Sequence, residues 1–215
     1  MGKILNSTAK FILVLFCFIF IQKRDLKASH AMGADLTYEC LGPNQYLLKY
    51  SFYRDCDGIT AMTSVTVNYT SSCFGGGSVT LNPVPVTHDS LRWVYATCPT
   101  ARTTCQTPAG TFLGIEEWIY TGIVNLPGPC ADWNFSVSTN ARNATITTIG
   151  ANPQVSLYVY TLMNNVIAPC NNSPTFSNKP VPLACVGQQF NFNHGAYDAD
   201  GDSIAYSLIT PKITA

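Results

Sequence analysis

The sequence predicts an all-β protein: an antiparallel β-sandwich domain followed by the opening strands of a second β domain. Three observations predict it. Hydrophobic residues recur with a period of two in short runs. Glycine and proline punctuate those runs at short intervals. Charged residues make up 11% of the 215-residue chain, less than half the usual share of about 25%. The polar surface must then come from Ser, Thr, Asn, Gln and Tyr, which suits strands better than charge-laced helices.

The chain opens with an export signal, assigned to residues 1–31. Lys3 and Lys10 precede an unbroken apolar run from Phe11 to Ile21, and Ser29-His30-Ala31 supplies a small-x-small site. Cleavage near Ala28 or Ala31 fits. The apolar run of 11 residues is too short for a membrane span, which needs about 20. Cys17 follows Phe16, which disfavours a lipoprotein-type cleavage at that cysteine. Beyond residue 31 the chain carries seven basic against eleven acidic residues, a net charge of −4. There is no basic patch to meet phosphates, so nucleic acid is not an expected partner.

Export sets an oxidising context. Eight cysteines remain after the signal: Cys40, Cys56, Cys73, Cys98, Cys105, Cys130, Cys170 and Cys185. An even count in an exported chain reads as up to four disulfides, with 105 connectivities open. Close CxxC pairs, which a metal site would need, are missing. Short spacing suggests Cys98–Cys105 as a local loop closure and Cys170–Cys185 as a staple at the entry of the second domain.

The first domain is assigned to residues 32–168. Tyr46, Leu48, Tyr50 and Phe52 share one strand face, with Lys49 and Ser51 on the other. Val65, Val67 and Tyr69 alternate with Thr66, Asn68 and Thr70. Trp133, Phe135 and Val137 alternate with Asn134, Ser136 and Ser138. These are half-buried strands with one wet face. Residues 112–124, 144–149 and 154–162 add further strands. Turns are expected at Gly42-Pro43-Asn44, Asp57-Gly58, Gly75-Gly76-Gly77, Pro127-Gly128-Pro129 and Asn152-Pro153. The segment 87–110 reads as a long loop.

A Pro-rich linker, residues 169–182, leads into residues 183–215. Gly187 to Phe192 reads as a strand with Phe190 and Phe192 on one face. Asp198, Asp200 and Asp202 alternate around Gly201, and Ile204, Tyr206 and Leu208 mark the next strand. Two readings of the acidic turn stay open. The carboxylates suit a hard cation such as calcium, which takes about six to eight oxygen ligands. Alternatively Asp and Gly serve the backbone of a tight turn. Counting from Asp198, Ser203 and Ile209 stand where an EF-hand needs Gly and Glu.

Candidate chemistry is sparse. Glu116 and Glu117 on a strand point to opposite faces and cannot form a glycosidase dyad. Glu116 is expected to pair across strands with Arg92 or Arg102. His30, His88 and His194 have no second histidine at ligand spacing, and no G-x-S-x-G, HExxH or P-loop occurs. Trp118 and Tyr120 share the face of Glu116 and are the candidates for an exposed glycan-stacking strip.

Two stretches carry a resemblance. Pro174-Thr-Phe176, Gly187-x-x-Phe190-x-Phe192 and Asp198-Ala-Asp-Gly-Asp-Ser-Ile-x-Tyr-Ser-Leu208 are similar to the start of cadherin-like and PKD-like immunoglobulin modules of bacterial surface proteins. Ser29 to Cys40, Leu48 to Cys56, Gly114 to Gly122 and Cys130-Ala-Asp-Trp133 resemble the leading part of large exported Bacteroidota proteins. Those proteins carry such repeats and a gliding-motility-associated C-terminal sorting domain. The resemblance implies type IX export, a location at the outer cell surface, and an adhesive, scaffold or gliding-associated role without catalysis. Its partners would be surface glycans or other cell-surface and matrix proteins. The second domain would then be a truncated immunoglobulin-like repeat. The alternative function is a carbohydrate-binding module, or a non-catalytic part of a secreted polysaccharide-degrading enzyme.

Overall fold

The computed structural model of the protein describes residues 31–94, 102–107, 110, 112–140, 142, 155–180, 186–187 and 189–212. The signal segment, the expected strand 144–149, the turn at Asn152-Pro153, Cys98 and Cys185 lie outside the described residues.

The architecture is all-β. The strands are β1 (Ala31–Gly42), β2 (Gln45–Asp55), β3 (Val65–Ser71), β4 (Gly75–Pro83), β5 (Trp93–Val94), β6 (Ile115–Asn125), β7 (Trp133–Thr139), β8 (Leu157–Met163), β9 (Thr175–Phe176) and β10 (Ala196–Tyr197). The main sheet runs β1-β2-β6-β4-β3-β7-β8, with β5 beside β6, and every ladder is antiparallel. The sheet curls until its two ends, β1 and β8, meet. The Tyr38 hydroxyl of β1 reaches the Leu162 carbonyl of β8 at 3.5 Å. The result is a nearly closed, barrel-like sandwich. Closure hides strand edges that would otherwise pair with other chains.

The inner face follows the alternation read from the sequence. Tyr46, Leu48 and Tyr50 of β2 are fully buried, and so are Val67, Trp133 and Phe135. Thr66, Asn68 and Thr70 face outward or lie at the rim, leaving one wet face on β3. Trp133 is the centre of an aromatic cluster. Its ring stacks on Phe74 at 6.0 Å and meets Tyr69 edge-on at 5.9 Å, while Nε1 donates to the Gly128 carbonyl. Ring pairs in these geometries stabilise beyond their buried area by about 0.5–1.5 kcal/mol.

The turn at Pro43–Asn44 forms as expected, with Asn44 in the left-handed region at φ 57°. The glycine triplet does not turn. Gly75, Gly76 and Gly77 open β4 and pair with Ser71, Thr70 and Tyr69. The turn is made instead by Ser72-Cys73-Phe74. The Tyr69 side chain lies across Gly77 so closely that a Cβ there would sit 2.5 Å from its hydroxyl. Glycine is therefore used for close approach in a strand rather than for a bend.

Three disulfides staple the fold: Cys40–Cys170, Cys56–Cys105 and Cys73–Cys130. Both local pairings expected from spacing are wrong. Cys105 bonds Cys56 rather than Cys98, and Cys170 bonds Cys40 rather than Cys185. Strand register decides the partners. Cys56 follows β2, and its N–H donates to the Gly114 carbonyl just before β6, which brings the Cys105 loop alongside.

The expected linker is also partly a structural element. Asn172 and Ser173 line the free edge of β1. Ser173 donates its N–H to the Tyr38 carbonyl at 2.9 Å and accepts the Tyr38 N–H on Oγ at 2.8 Å. The Asn172 side-chain carbonyl accepts the Cys40 N–H at 2.8 Å. Beyond it, β9 and β10 form a two-residue ladder, Ala196 with Phe176 and Tyr197 with Thr175. Among the described residues, neither the run 187–192 nor Ile204–Leu208 joins a ladder. The described residues of the first run extend with Phe190 and Phe192 stacked in parallel at 6.3 Å, and Tyr206 and Leu208 are exposed.

Candidate functional site

The outer face of β1, β2 and β6 carries a row the sequence reading did not single out. Register places Gly33 beside Tyr53 and Tyr53 beside Glu117, with Asp35 one step along β1. The Tyr53 hydroxyl lies 3.3 Å from Asp35 Oδ2 and 3.5 Å from Glu117 Oε1. Tyr53 also belongs to a small apolar cluster with Val94, Ile115 and Met32, separate from the main core.

The segment after β9 folds over this row. Lys179 Nζ binds Glu117 Oε2 at 2.9 Å. Phe176, Phe192 and His194 form an aromatic wall, in which Phe192 meets His194 edge-on at 4.8 Å and Phe176 meets it at 5.9 Å. Between this wall and the row lies an open cleft of about 330 Å³, with Asp35, Tyr53, Met32 and Ile115 on the sheet side. That volume lies at the low end of the range typical of ligand sites, about 300–1,000 Å³.

Burial inside the cleft pushes the Asp35 carboxyl above the usual carboxylate range, against the lowering effect of the Tyr53 hydroxyl. Desolvation and the two neighbouring carboxylates push the Tyr53 phenol strongly up, so it stays a donor. Its single proton serves two acceptors. The arrangement can present a desolvated carboxyl and aromatic faces to one guest.

The residues singled out from the sequence are placed as follows. Tyr120 is fully buried and donates its hydroxyl to the Met62 carbonyl at 2.8 Å; desolvation pushes its phenol up to about 12. Trp118 packs against the core with the Arg92 guanidinium 3.7 Å from its ring centre. Tyr120 therefore has no exposed ring face for glycan stacking, and Trp118 is half-buried with the Arg92 guanidinium over its ring. The reason is that the Glu116 face of β6 is the core face. Glu116 pairs with Arg54, its register partner on β2, rather than with Arg92 or Arg102. Glu117 points to the other face, as the strand alternation requires. His88 is exposed just before a short 3-10 turn, Asp89–Arg92, and does not line the cleft.

At the acidic turn the carboxylates serve the backbone. Asp198 is buried, and its Oδ1 accepts the N–H groups of Asp200 at 2.9 Å and Asp202 at 3.3 Å. Gly201 sits at φ 82°, which a side chain would strain. Asp200 accepts both the N–H of Asn172 at 2.6 Å and its side-chain amide at 2.9 Å. A calcium ion here would have to compete with those donors. Among the described residues, the group of three ligand-type atoms lying within 4.8 Å of one another is Cys73, Cys130 and Asp132. Its two sulfurs are consumed in a disulfide, and Asp132 accepts the Ser72 N–H at 3.0 Å. No helix among the described residues is long and apolar enough to cross a membrane.

A phenol flanked by two carboxylates could have been suspected from Phe52-Tyr53. Adjacent aromatics break a period of two and announce that both strand faces are covered. The aromatic wall carries no such local signal, because it comes from residues more than 120 positions later. Comparisons with protein families, curated proteins and solved structures return no match for this chain.

Proposed function

We propose that this chain is a non-enzymatic, exported surface protein whose stapled head presents loops and a cleft for adhesion or scaffolding. The observation that carries the reading is the set of three disulfides, above all Cys40–Cys170, which ties the first strand of the head to its exit across 130 residues. Disulfides of this kind persist in oxidising compartments and are compatible with an extracellular protein. They also suit a domain that must survive outside the cell. Two ion pairs support the same reading. Arg54–Glu116 and Lys179–Glu117 are neutralised pairs, not an acid and a base facing one reacting atom. The resemblance to exported Bacteroidota proteins adds the type IX route and gliding-associated display.

Intact cells making the protein provide the test. A membrane-impermeant biotin reagent is expected to label it before lysis, and deleting its gene is expected to reduce attachment to surfaces or to neighbouring cells. Retention inside unlysed cells, or polysaccharide hydrolysis by the purified chain, would overturn the proposal. A glycan array with the purified protein serves as the second arm. Saturable sugar binding there would move the assignment to a carbohydrate-binding module.

A further inference from the structure

The cleft has a chemistry of its own, and we propose that it binds a primary ammonium on an apolar stem: the side chain of a lysine presented by a partner protein. Three observations converge on this guest. First, Asp35 stands in the cleft with one hydrogen bond, from Tyr53 to Oδ2, and no ion pair joins it to a cation among the described residues. Lys49 and His194 act on it through space alone. A carboxylate held in partly apolar surroundings with a phenol but no cation beside it among the described residues costs stability, and a cation entering the site would recover that cost.

Second, the same row already accepts a lysine. Lys179 docks its ammonium on Glu117, beside Tyr53, with the Glu117 side chain 12% exposed. Asp35 lies on the other side of the same phenol and offers the equivalent acceptor to a lysine from elsewhere. Third, the facing wall is aromatic. Phe176 and Phe192 can stack over an ammonium, and the apolar surfaces of Met32 and Ile115 match a four-carbon stem.

The geometry prefers lysine to arginine. A guanidinium binds best through both oxygens of a carboxylate. In Asp35 one oxygen is already engaged by Tyr53. An ammonium needs only a point contact, so the remaining oxygen suffices. This inference goes beyond the surface-protein reading by naming a recognition element, and it stands or falls separately. Surface labelling of cells does not depend on Asp35.

The test uses the purified exported chain and short blocked peptides, acetyl-Gly-Lys-Gly-amide and its norleucine and arginine counterparts. Binding is read from amide NMR shifts at Gly33, Asp35 and Phe192. The lysine peptide is expected to saturate, with the norleucine peptide at least about tenfold weaker. Asp35→Asn keeps the shape and the Tyr53 bond, and is expected to weaken lysine binding about tenfold while the protein stays folded. Phe192→Ala is expected to weaken it about two- to fivefold through the lost ring face. Equal shifts from lysine and norleucine, undiminished binding by Asp35→Asn, or no saturation in a folded sample would each overturn the assignment. Tighter binding of arginine than lysine would overturn it as well.

Discussion

The head and the segment that follows it are built from similar residues with opposite results. Residues 46–52 and residues 204–208 show the same alternation of apolar and polar positions. In the head, Tyr46, Leu48 and Tyr50 are fully buried in β2, which pairs along its length with β1 and β6. In the segment, Tyr206 and Leu208 are exposed and no ladder forms. The difference lies in the neighbours. Period two specifies which way each side chain points, but a strand needs a second strand to receive its N–H and C=O groups, and an apolar face needs a surface to bury against.

That contrast makes unequal predictions. Trp133→Ala is expected to cost the head about 3–5 kcal/mol, because it removes the ring that stacks between Phe74 and Tyr69. Leu208→Ala is expected to change stability by less than about 0.5 kcal/mol. Urea unfolding of both variants checks the pair, and a large effect of Leu208→Ala would show that the segment packs after all. Next in size is the Cys40–Cys170 staple. Replacing both cysteines with serine is expected to cost about 2–5 kcal/mol. The loss should appear together with proteolytic nicking near Asn172, since the same staple holds residues 171–173 on the edge of β1. If nicking stays at the wild-type rate, the hydrogen bonds to Tyr38 and Cys40 hold the edge without the bond.

The smallest effect concerns Asp35, where head and segment meet. Its pKa is raised by desolvation, so the folded protein holds this proton more tightly than the unfolded chain does. The resulting stability is present below the ordinary carboxylate pKa and is lost as pH rises through the raised native value. At neutral pH, Asp35→Asn is expected to raise the melting temperature, and the gain should fade under acid conditions. A drop in melting temperature at pH 7 would mean that the ionised carboxylate is satisfied in the fold. Together with the loss of lysine binding, a gain would mark Asp35 as a residue kept for recognition at some expense in stability.

The all-β class was legible because alternation is a local property, and the core positions of β2, β3 and β7 could be named one by one. The acidic turn was legible as a turn, since Asp and Gly bond to their own neighbours. Local signals misled where two uses share one residue type. Gly75–Gly77 read as a bend, yet the glycines make room for Tyr69 within a ladder. Trp118 and Tyr120 read as an exposed strip because alternation cannot say which of two faces is inside. Residue spacing misled for the cysteines. Loop closure grows costlier only slowly with length, by about 0.6 kcal/mol per doubling, so near partners hold little advantage over distant ones.

What the amino-acid order determined by itself is therefore the extended habit of the chain, the residues that share a face and several of its turns, though not the one at Ser72-Cys73-Phe74. The tertiary structure alone decided which face is buried, which cysteines meet across 130, 49 and 57 residues, and how Asp35 comes to sit opposite Phe192. The physical reason is range. Dihedral preferences and alternation act over a few residues, whereas register, closure of the sheet and the cleft depend on segments that meet only when the fold brings them together.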